Sequence, residues 1–286
     1  MQPFPRTDLA AEAQALRQRS AGDAAALPGV QAEETQRGGF SVTTVHILND
    51  MGAQELCKPI GDYSTVTLEP LLRREDEAFE QAATLLAELL REQLPLSPDA
   101  AVFVVGLGNR AITPDAIGPL TVEHVLATRH LRQQLPETFG AFRPVAALAP
   151  GVLGTTGIEA AALVQALARD LQADAIIAVD ALACAEADRL CRTIQITNTG
   201  ITPGSGVGND RSALNRDTLG IPVAALGVPT VIDAGALSEN ARMEGLFITP
   251  RTIDAVVRDF SKLAGYAIDL ALHPDLTVAD LDMFLS

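Results

Sequence analysis

Short apolar runs alternate along most of the chain with stretches whose apolar residues recur at helical spacing. Val102–Val105 is an apolar run that ends at Gly106, a pattern typical of a buried strand. Ala173–Val179 is apolar on both faces, as a central strand of a parallel sheet would be. Leu71–Leu94 instead repeats apolar residues every three or four positions, which predicts a helix that Pro95 ends.

The remaining elements follow the same two patterns, and residues 6–20 predict a short amphipathic helix. The other predicted strands are Gln36–Asn49, Tyr63–Glu69, Pro144–Leu148, Thr193–Thr197 and Pro222–Leu226, and the other predicted helices are Asp115–Leu131, Gly157–Leu171 and Thr249–Leu272, with a short one after Pro274. Strands that alternate with helices imply right-handed crossovers and a sheet covered on both faces. We therefore predict a three-layer α/β/α fold with a mainly parallel sheet, phosphorylase/hydrolase-like, with a β-rich N-terminal extension.

Composition and charge narrow the class of protein. The formal net charge of -15 argues against a direct nucleic-acid partner, because phosphate binding relies on clustered Lys and Arg. No apolar run reaches the roughly 20 residues that cross a bilayer, and the N-terminus lacks the layout of a secretory signal. Cys57, Cys184 and Cys191 contain no CxxC pair, so we expect reduced thiols in a cytoplasmic protein.

Two aspartates occupy matching positions after apolar strands. Asp115 follows Val102–Val105 within the first turn of a predicted helix, and Asp180 follows Ala173–Val179. If these strands are neighbours, both carboxylates face one crevice at the carboxyl edge of the sheet. Two close carboxylates do not both ionise easily, so one holds a proton while the other acts as a base. The alternative is structural: Asp115 interacts with the helix dipole, and Asp180 caps a turn.

Other motifs for chemistry are incomplete. Four glycine-rich loops, 106–110, 150–157, 202–209 and 227–230, lack both the third glycine of a dinucleotide fingerprint and a Walker Gly-Lys-Ser/Thr. Ser205 is not in a GxSxG sequence, and Cys184 has no identifiable base nearby. The histidines have no metal-binding spacing, and we expect neither a metal nor a cofactor.

Several longer runs of the sequence match the pattern of one protein family. The sequences GLGNRAITPDAIGPLTVEHVLATRHL, APGVLGTTGIEA, AVDALAC, TIQITNTGITPGSGVGN and LGIPVAALGVPTVIDA resemble the germination protease family, as do RTDLAAEA and CKPIGDYSTVTLEPLLR. This resemblance covers residues 6 to about 235 in one order. It implies a self-processing endopeptidase that degrades small acid-soluble spore proteins during germination, acts as a homotetramer and lies in the cytoplasm of the spore core.

The resemblance also implies which residues act. The two aspartates on which the family's proteolysis depends correspond to Asp115 and Asp180. The glycine-rich loops are then expected to make room for a polypeptide backbone, with substrate contacts at Gly106, Gly108, Asn109, Gly151, Gly154 and Gly206. The family's core is similar to that of hydrogenase maturation peptidases, so the alternatives are a nickel-binding peptidase of that type and a non-catalytic peptide-binding relative.

The N-terminus resembles a cleavage site of this family. Its substrates are cut within Thr-Glu-(large apolar)-Ala-Ser-Glu, and Thr7–Glu12, TDLAAE, has the same order of chemical types. We therefore expect self-removal between Asp8 and Leu9, which divides the chain into a propeptide, 1–8, and a single α/β protease domain, 9–286. The alternative is that an acidic amphipathic helix simply begins here.

The chain departs from the family pattern in places. Arg110-Ala111 stands where the family commonly has a Trp-Asn type of pair, and Cys57 replaces a glycine expected before Lys-Pro. The sequence after Asp233 is less recognisable. Both aspartates are in place.

Overall fold

The computed structural model of the chain describes residues 6–22, 26–205, 208, 211–237 and 245–285. These residues form one nine-stranded sheet, ordered β1-β2-β3-β7-β8-β6-β4-β5, with β9 paired to the far end of β8. The strands are Val30–Arg37 (β1), Phe40–Ile47 (β2), Gly61–Thr67 (β3), Val102–Gly106 (β4), Val145–Leu148 (β5), Ala175–Cys184 (β6), Thr193–Thr197 (β7), Val223–Asp233 (β8) and Phe247–Ile248 (β9).

The pairings divide the sheet into two halves. β5, β4, β6 and β8 are parallel to one another, whereas β1, β2, β3 and β7 form an antiparallel series that joins β8 through an antiparallel pairing with β7. The α/β class is confirmed, and the mainly parallel arrangement holds for the half that carries the two aspartates. The β-rich N-terminal region extends this same sheet.

Helices cover both faces of the sheet. They are Ala10–Ala21 (α1), Asp50–Leu56 (α2), Glu69–Leu72 (α3), Ala78–Gln93 (α4), Ile117–Val122 (α5), Arg129–Gln134 (α6), Pro136–Phe139 (α7), Leu153–Thr156 (α8), Ala160–Asp170 (α9), Arg216–Leu219 (α10), Ala234–Leu237 (α11), Ile253–Leu272 (α12) and Val278–Leu285 (α13). The large core packs α4, α5 and α12 on one face, and two smaller clusters pack α9 and α1 on the other. Within the described ranges, no helix is long and apolar enough to span a membrane.

Two predicted helices are shorter than their sequence pattern indicates. The 71–94 helix is broken at residues 73–77, where Arg74 and Glu77 take left-handed backbone angles. The 115–131 helix is a 3-10 turn, Thr113–Asp115, followed by α5 and then an irregular segment. Both carboxylate oxygens of buried Asp269 accept from the Leu126 N–H at 3.0 Å, and this tertiary bond replaces helical pairing.

The strand predicted at 36–49 is a hairpin turn and one strand. Gly38 and Gly39 both have positive φ and form the turn, so Gln36 belongs to the preceding strand β1. β1 is polar and exposed along nearly all its length, because it lies at the edge of the sheet and buries neither face. Its sequence therefore lacks the apolar alternation that marks β2.

Candidate active site

The two aspartates meet because β4 and β6 are adjacent and in parallel register. Gly106 lies opposite Val179, and the Leu107 N–H donates to the Val179 carbonyl at 2.7 Å. Asp180 follows at once. It does not end its strand as predicted, since β6 continues to Cys184. The loop after β4 returns through a 3-10 turn that places Asp115 beside this point.

Asp115 is held by the backbone of its own loop. The Asn109 N–H donates to its Oδ2 at 2.8 Å. Gly108 has φ +113°, and a Cβ there would lie 2.1 Å from the Asp115 carbonyl oxygen, so only glycine permits this close approach. Burial raises the pKa of Asp115, and the bond from Asn109 opposes that rise because it favours the ionised form.

Asp180 is more deeply buried, with 5% of its surface exposed. Burial raises its pKa well above the usual range, and the neighbouring negative charge of Asp115 raises it further, against a single opposing bond from the Ala181 N–H. Because Asp180 holds its proton more strongly, Asp115 ionises first. The pair therefore offers one base and one proton donor in a single site.

Both aspartates line a cavity of about 920 Å³. Of the predicted substrate-binding residues, Gly108, Asn109, Gly151 and Gly154 also line it, and Gly206 lies outside the described residues. Gly106 does not reach the cavity. It packs against α5, where a Cβ would lie 2.1 Å from the Gly118 carbonyl oxygen, and its small size brings β4 and α5 together.

Asp8 lies in the same cavity and binds the free edge of β6 through its backbone N–H and its side chain. Its N–H donates to the Ala183 carbonyl at 2.9 Å, and the Ala183 N–H donates to its Oδ2 at 2.8 Å. The hydroxyl of Ser205 donates to its other carboxylate oxygen at 2.8 Å. The negative charge of Asp8 also raises the pKa of Asp180. The predicted processing bond thus begins at a residue in the aspartate cavity.

The residues after Asp8 are buried against the sheet. Leu9 is fully buried with Leu182, Cys184 and Ile232. Glu12, in the first turn of α1, is also fully buried. Its two carboxylate oxygens accept from the N–H groups of Ala185 and Glu186 at 2.8 and 2.7 Å, which oppose the rise in its pKa that burial causes.

Two residues in contact with this segment were not predicted from the sequence. The Lys58 ammonium donates to the Thr7 carbonyl at 3.0 Å, and burial lowers the pKa of this lysine. The Gln195 side chain donates to the Asp8 carbonyl and accepts from the Ala10 N–H. Lys58 is 51 residues from its partner, and Gln195 is 185 residues from Ala10, so no local pattern could have indicated either contact.

The other chemical candidates do not form a second catalytic arrangement within the described residues. The described lining of the cavity includes no histidine. Ser205 binds Asp8, and burial raises the pKa of Cys184, which keeps its thiol neutral. Across the described part of the chain, no three His, Cys, Asp or Glu side chains are grouped to hold a metal ion. Arg110, a departure from the family pattern, forms an ion pair with Glu123 outside the cavity.

The sequence of this chain is similar to those of known proteins of one family. The sequence model of a family described as germination protease matches residues 7–243. The germination protease of Clostridium tetani is 36% identical over 323 aligned residues, covering 98% of this chain and 99% of the relative. That of Caldanaerobacter subterraneus is 38% identical with 98% of both covered, and one from Bacillus cereus is 40% identical, covering 90% of this chain and 68% of the relative.

Among solved structures, a NiFe hydrogenase maturation protease from Thermococcus kodakarensis is similar to this chain. It is 14% identical with a TM-score of 0.35, and the match covers 64% of this chain and 98% of that one.

Proposed function

This chain belongs to the germination protease family, and from that membership we propose that it is a self-processing endopeptidase in which Asp115 and Asp180 activate water. It is a peptidase of spore germination. The single observation that carries the self-processing proposal is the placement of Asp8, with the intact bond to Leu9, in the cavity that Asp115 and Asp180 line.

The two carboxyl groups have different roles in the proposed reaction. Asp115, the more readily ionised, takes a proton from a water molecule. At the same time the oxygen of that water bonds to the Asp8 carbonyl carbon. Asp180, which keeps its proton, gives it to the Leu9 nitrogen as the carbon–nitrogen bond breaks. The proton held by Asp115 then returns to Asp180, so the pair ends as it began.

The docked segment also accounts for an inactive precursor. While Asp8 occupies the cavity, another polypeptide cannot bind beside the aspartates. Cleavage would release Thr7 and Asp8 with their contacts to Lys58, Ala183 and Ser205. The substrates we propose are small acid-soluble spore proteins, whose Thr-Glu-apolar-Ala-Ser-Glu site has the chemistry of the docked Thr7–Glu12. The homotetramer and the cytoplasm of the spore core rest on the family resemblance alone.

The decisive experiment compares purified wild-type protein with Asp115→Asn and Asp180→Asn. Mass spectrometry should detect a new N-terminus at Leu9 in the wild type and in neither variant. The variants should also fail to cleave a peptide containing Thr-Glu-Leu-Ala-Ser-Glu. Asp170→Asn, at an exposed carboxylate outside the cavity, is the matched control and should be processed normally. Normal processing by either cavity variant would contradict the proposed pair, and no processing by the wild type would favour a peptide-binding relative.

A further inference from the structure

Gln195 contacts the chain on both sides of the Asp8–Leu9 peptide bond. Its Nε2 donates to the Asp8 carbonyl oxygen at 3.2 Å, and its Oε1 accepts from the Ala10 N–H at 2.7 Å. The orientation of the amide follows from these partners, because a backbone N–H can only donate and a carbonyl can only accept. The Gln195 side chain therefore binds both the carbonyl of the bond to be cut and the N–H of Ala10, the second residue after that bond.

The sheet places Gln195 on the same face as Asp180. In register, Gln195 of β7 lies opposite Gly227 of β8, and Gly227 lies opposite Asp180 of β6. Residues in one row across a sheet project to the same side, so both side chains face the docked segment from strands about 10 Å apart. Gly227, which lies between Asp180 and Gln195 in this row, has no side chain, and the Leu182 side chain fills the space above it.

We propose that Gln195 is a catalytic residue that stabilises negative charge on the carbonyl oxygen of the bond being cut. This rests on the proposed self-processing at Asp8–Leu9. As the water oxygen bonds to the Asp8 carbon, the carbonyl electron pair moves to the oxygen, where the Gln195 N–H already donates. The pair returns when the bond to Leu9 breaks. Asp180 is then free to protonate the leaving nitrogen rather than the oxygen.

Burial makes this contact effective. Gln195 is 5% exposed, and a hydrogen bond to developing charge is stronger in a poorly solvated site than in water. A purely structural role would be to bind Ala10, whose N–H begins α1 and has no helical acceptor. That role needs only an oxygen. The second contact, from nitrogen to the Asp8 carbonyl, is not needed to bind Ala10 and lies on the bond to be cut.

Two substitutions separate the roles. Gln195→Glu keeps an oxygen for the Ala10 N–H and removes the donor, while Gln195→Met removes both. Loss of one such donor typically lowers the rate of peptide hydrolysis by about 100- to 1,000-fold. We expect both variants to form the Leu9 N-terminus at least about 100-fold more slowly than wild type, as followed by mass spectrometry. Gln165→Glu and Gln165→Met, at a glutamine that donates to the Thr218 carbonyl outside the cavity, should process normally.

Docking is measured separately in the Asp180→Asn background, where the segment stays uncut. Amide exchange of the peptide containing Ala10 should be as slow with Gln195→Glu as with Gln195 intact. Slow cleavage together with retained protection supports the proposal. Processing of Gln195→Glu less than about 100-fold slower than wild type would show that the donor is not needed for catalysis. Fast exchange at Ala10 in that variant would show that the Nε2 contact holds the segment in place rather than stabilising charge. If wild-type protein forms no Leu9 N-terminus, self-processing itself fails, and the role of Gln195 with it.

Discussion

Asp8 and Ala183 are joined by two hydrogen bonds, one from each backbone N–H to an oxygen of the other residue. This pairing is possible because β4 ends at Gly106, opposite Val179, so the next residues of β6 have no β4 partner along that edge. The N–H and carbonyl groups of that edge are available to a bound polypeptide, and main-chain bonds to them contribute affinity whatever the side chains. The aspartate cavity is therefore suited to an extended peptide.

The carboxylate of Asp8 should be needed for docking before cleavage. Asp8→Ala removes the oxygens that accept from Ala183 and Ser205, and hydrogen bonds to a charged group contribute about 1.5–3 kcal/mol each. We expect the Leu9 N-terminus to form at least about tenfold more slowly, measured by timed mass spectrometry. Asp217→Ala, at an exposed aspartate outside the cavity, is the control. An unchanged rate in Asp8→Ala would mean that the carboxylate is not recognised.

Processing should have a bell-shaped pH dependence. The rate needs Asp115 ionised and Asp180 protonated, and burial raises both pKa values, so the optimum should be shifted upward from the usual carboxyl range. Asp8→Asn removes the negative charge that raises the pKa of Asp180. The alkaline limb of the pH–rate profile of Asp8→Asn should therefore lie at lower pH than that of the wild type, whatever the absolute rate of the variant. A limb that stays in place or moves to higher pH would contradict the assignment of Asp180 as the acid.

The buried Asp180 should reduce stability at neutral pH. A carboxyl group whose pKa is raised on folding binds more protons in the native state, so stability is lost as pH rises from the unfolded to the folded pKa. Asp180→Asn keeps an oxygen for the Ala181 N–H and cannot ionise. It should be more stable than wild type at pH 7, where the native carboxyl either ionises in a buried site or stays protonated against the pH of the solution, and the gain should shrink towards pH 4.

Chemical denaturation of wild type, Asp180→Asn and the surface control Asp170→Asn at pH 7 and pH 4, each shown by mass spectrometry to be uncut, measures this difference. Asp170 is exposed, so its substitution should change the free energy of unfolding little at either pH. An Asp180→Asn protein less stable than wild type at pH 7 would show that ionised Asp180 has a compensating partner.

Lys58 should assist docking through its bond to the Thr7 carbonyl. Lys58→Met keeps much of the aliphatic side chain and removes the charge-assisted bond, so processing should slow about tenfold to 100-fold. Lys262→Met is the matched control, since Lys262 lies at the surface beside Asp282. Mass spectrometry of both variants over time gives the rates. Equal rates for Lys58→Met and wild type would assign Lys58 to packing only.

The predictable part of this fold is the part whose residues are buried on both faces. β4 and β6 were evident because uninterrupted apolar runs have few alternatives, and their shared edge follows from parallel pairing. β1 was missed because an edge strand that buries neither face has no apolar alternation. The 115–131 helix was overestimated because the Asp269 carboxylate, from a distant helix, binds the Leu126 N–H.

The candidate site likewise contains residues that the sequence predicted and residues that it did not. Asp180 belongs to β6, and Asp115 lies in the short turn that follows β4, so strand pattern and resemblance both indicated them. Gln195 and Lys58 act on the N-terminal segment across long sequence separations, and neither has a neighbour in sequence that reveals its partner. Their contacts depend on where α1 meets the sheet, which only the folded structure defines.

Cys57, which stands where the family pattern has glycine, ends α2 with φ 53° and ψ 41°, in the left-handed region. A residue with a Cβ is strained there by about 1–2 kcal/mol, whereas glycine adopts this conformation freely but loses more chain entropy on folding. The Cys57 side chain is exposed, and its sulfur contacts the Gln54 carbonyl at 3.6 Å, so little packing is lost when it is removed. Cys57→Gly should therefore raise the free energy of unfolding by about 0.5–1 kcal/mol, measured by chemical denaturation. Cys57→Ala, which keeps the Cβ and the strain, should give no such gain, and an equal gain from both variants would assign the effect to the thiol rather than to the backbone.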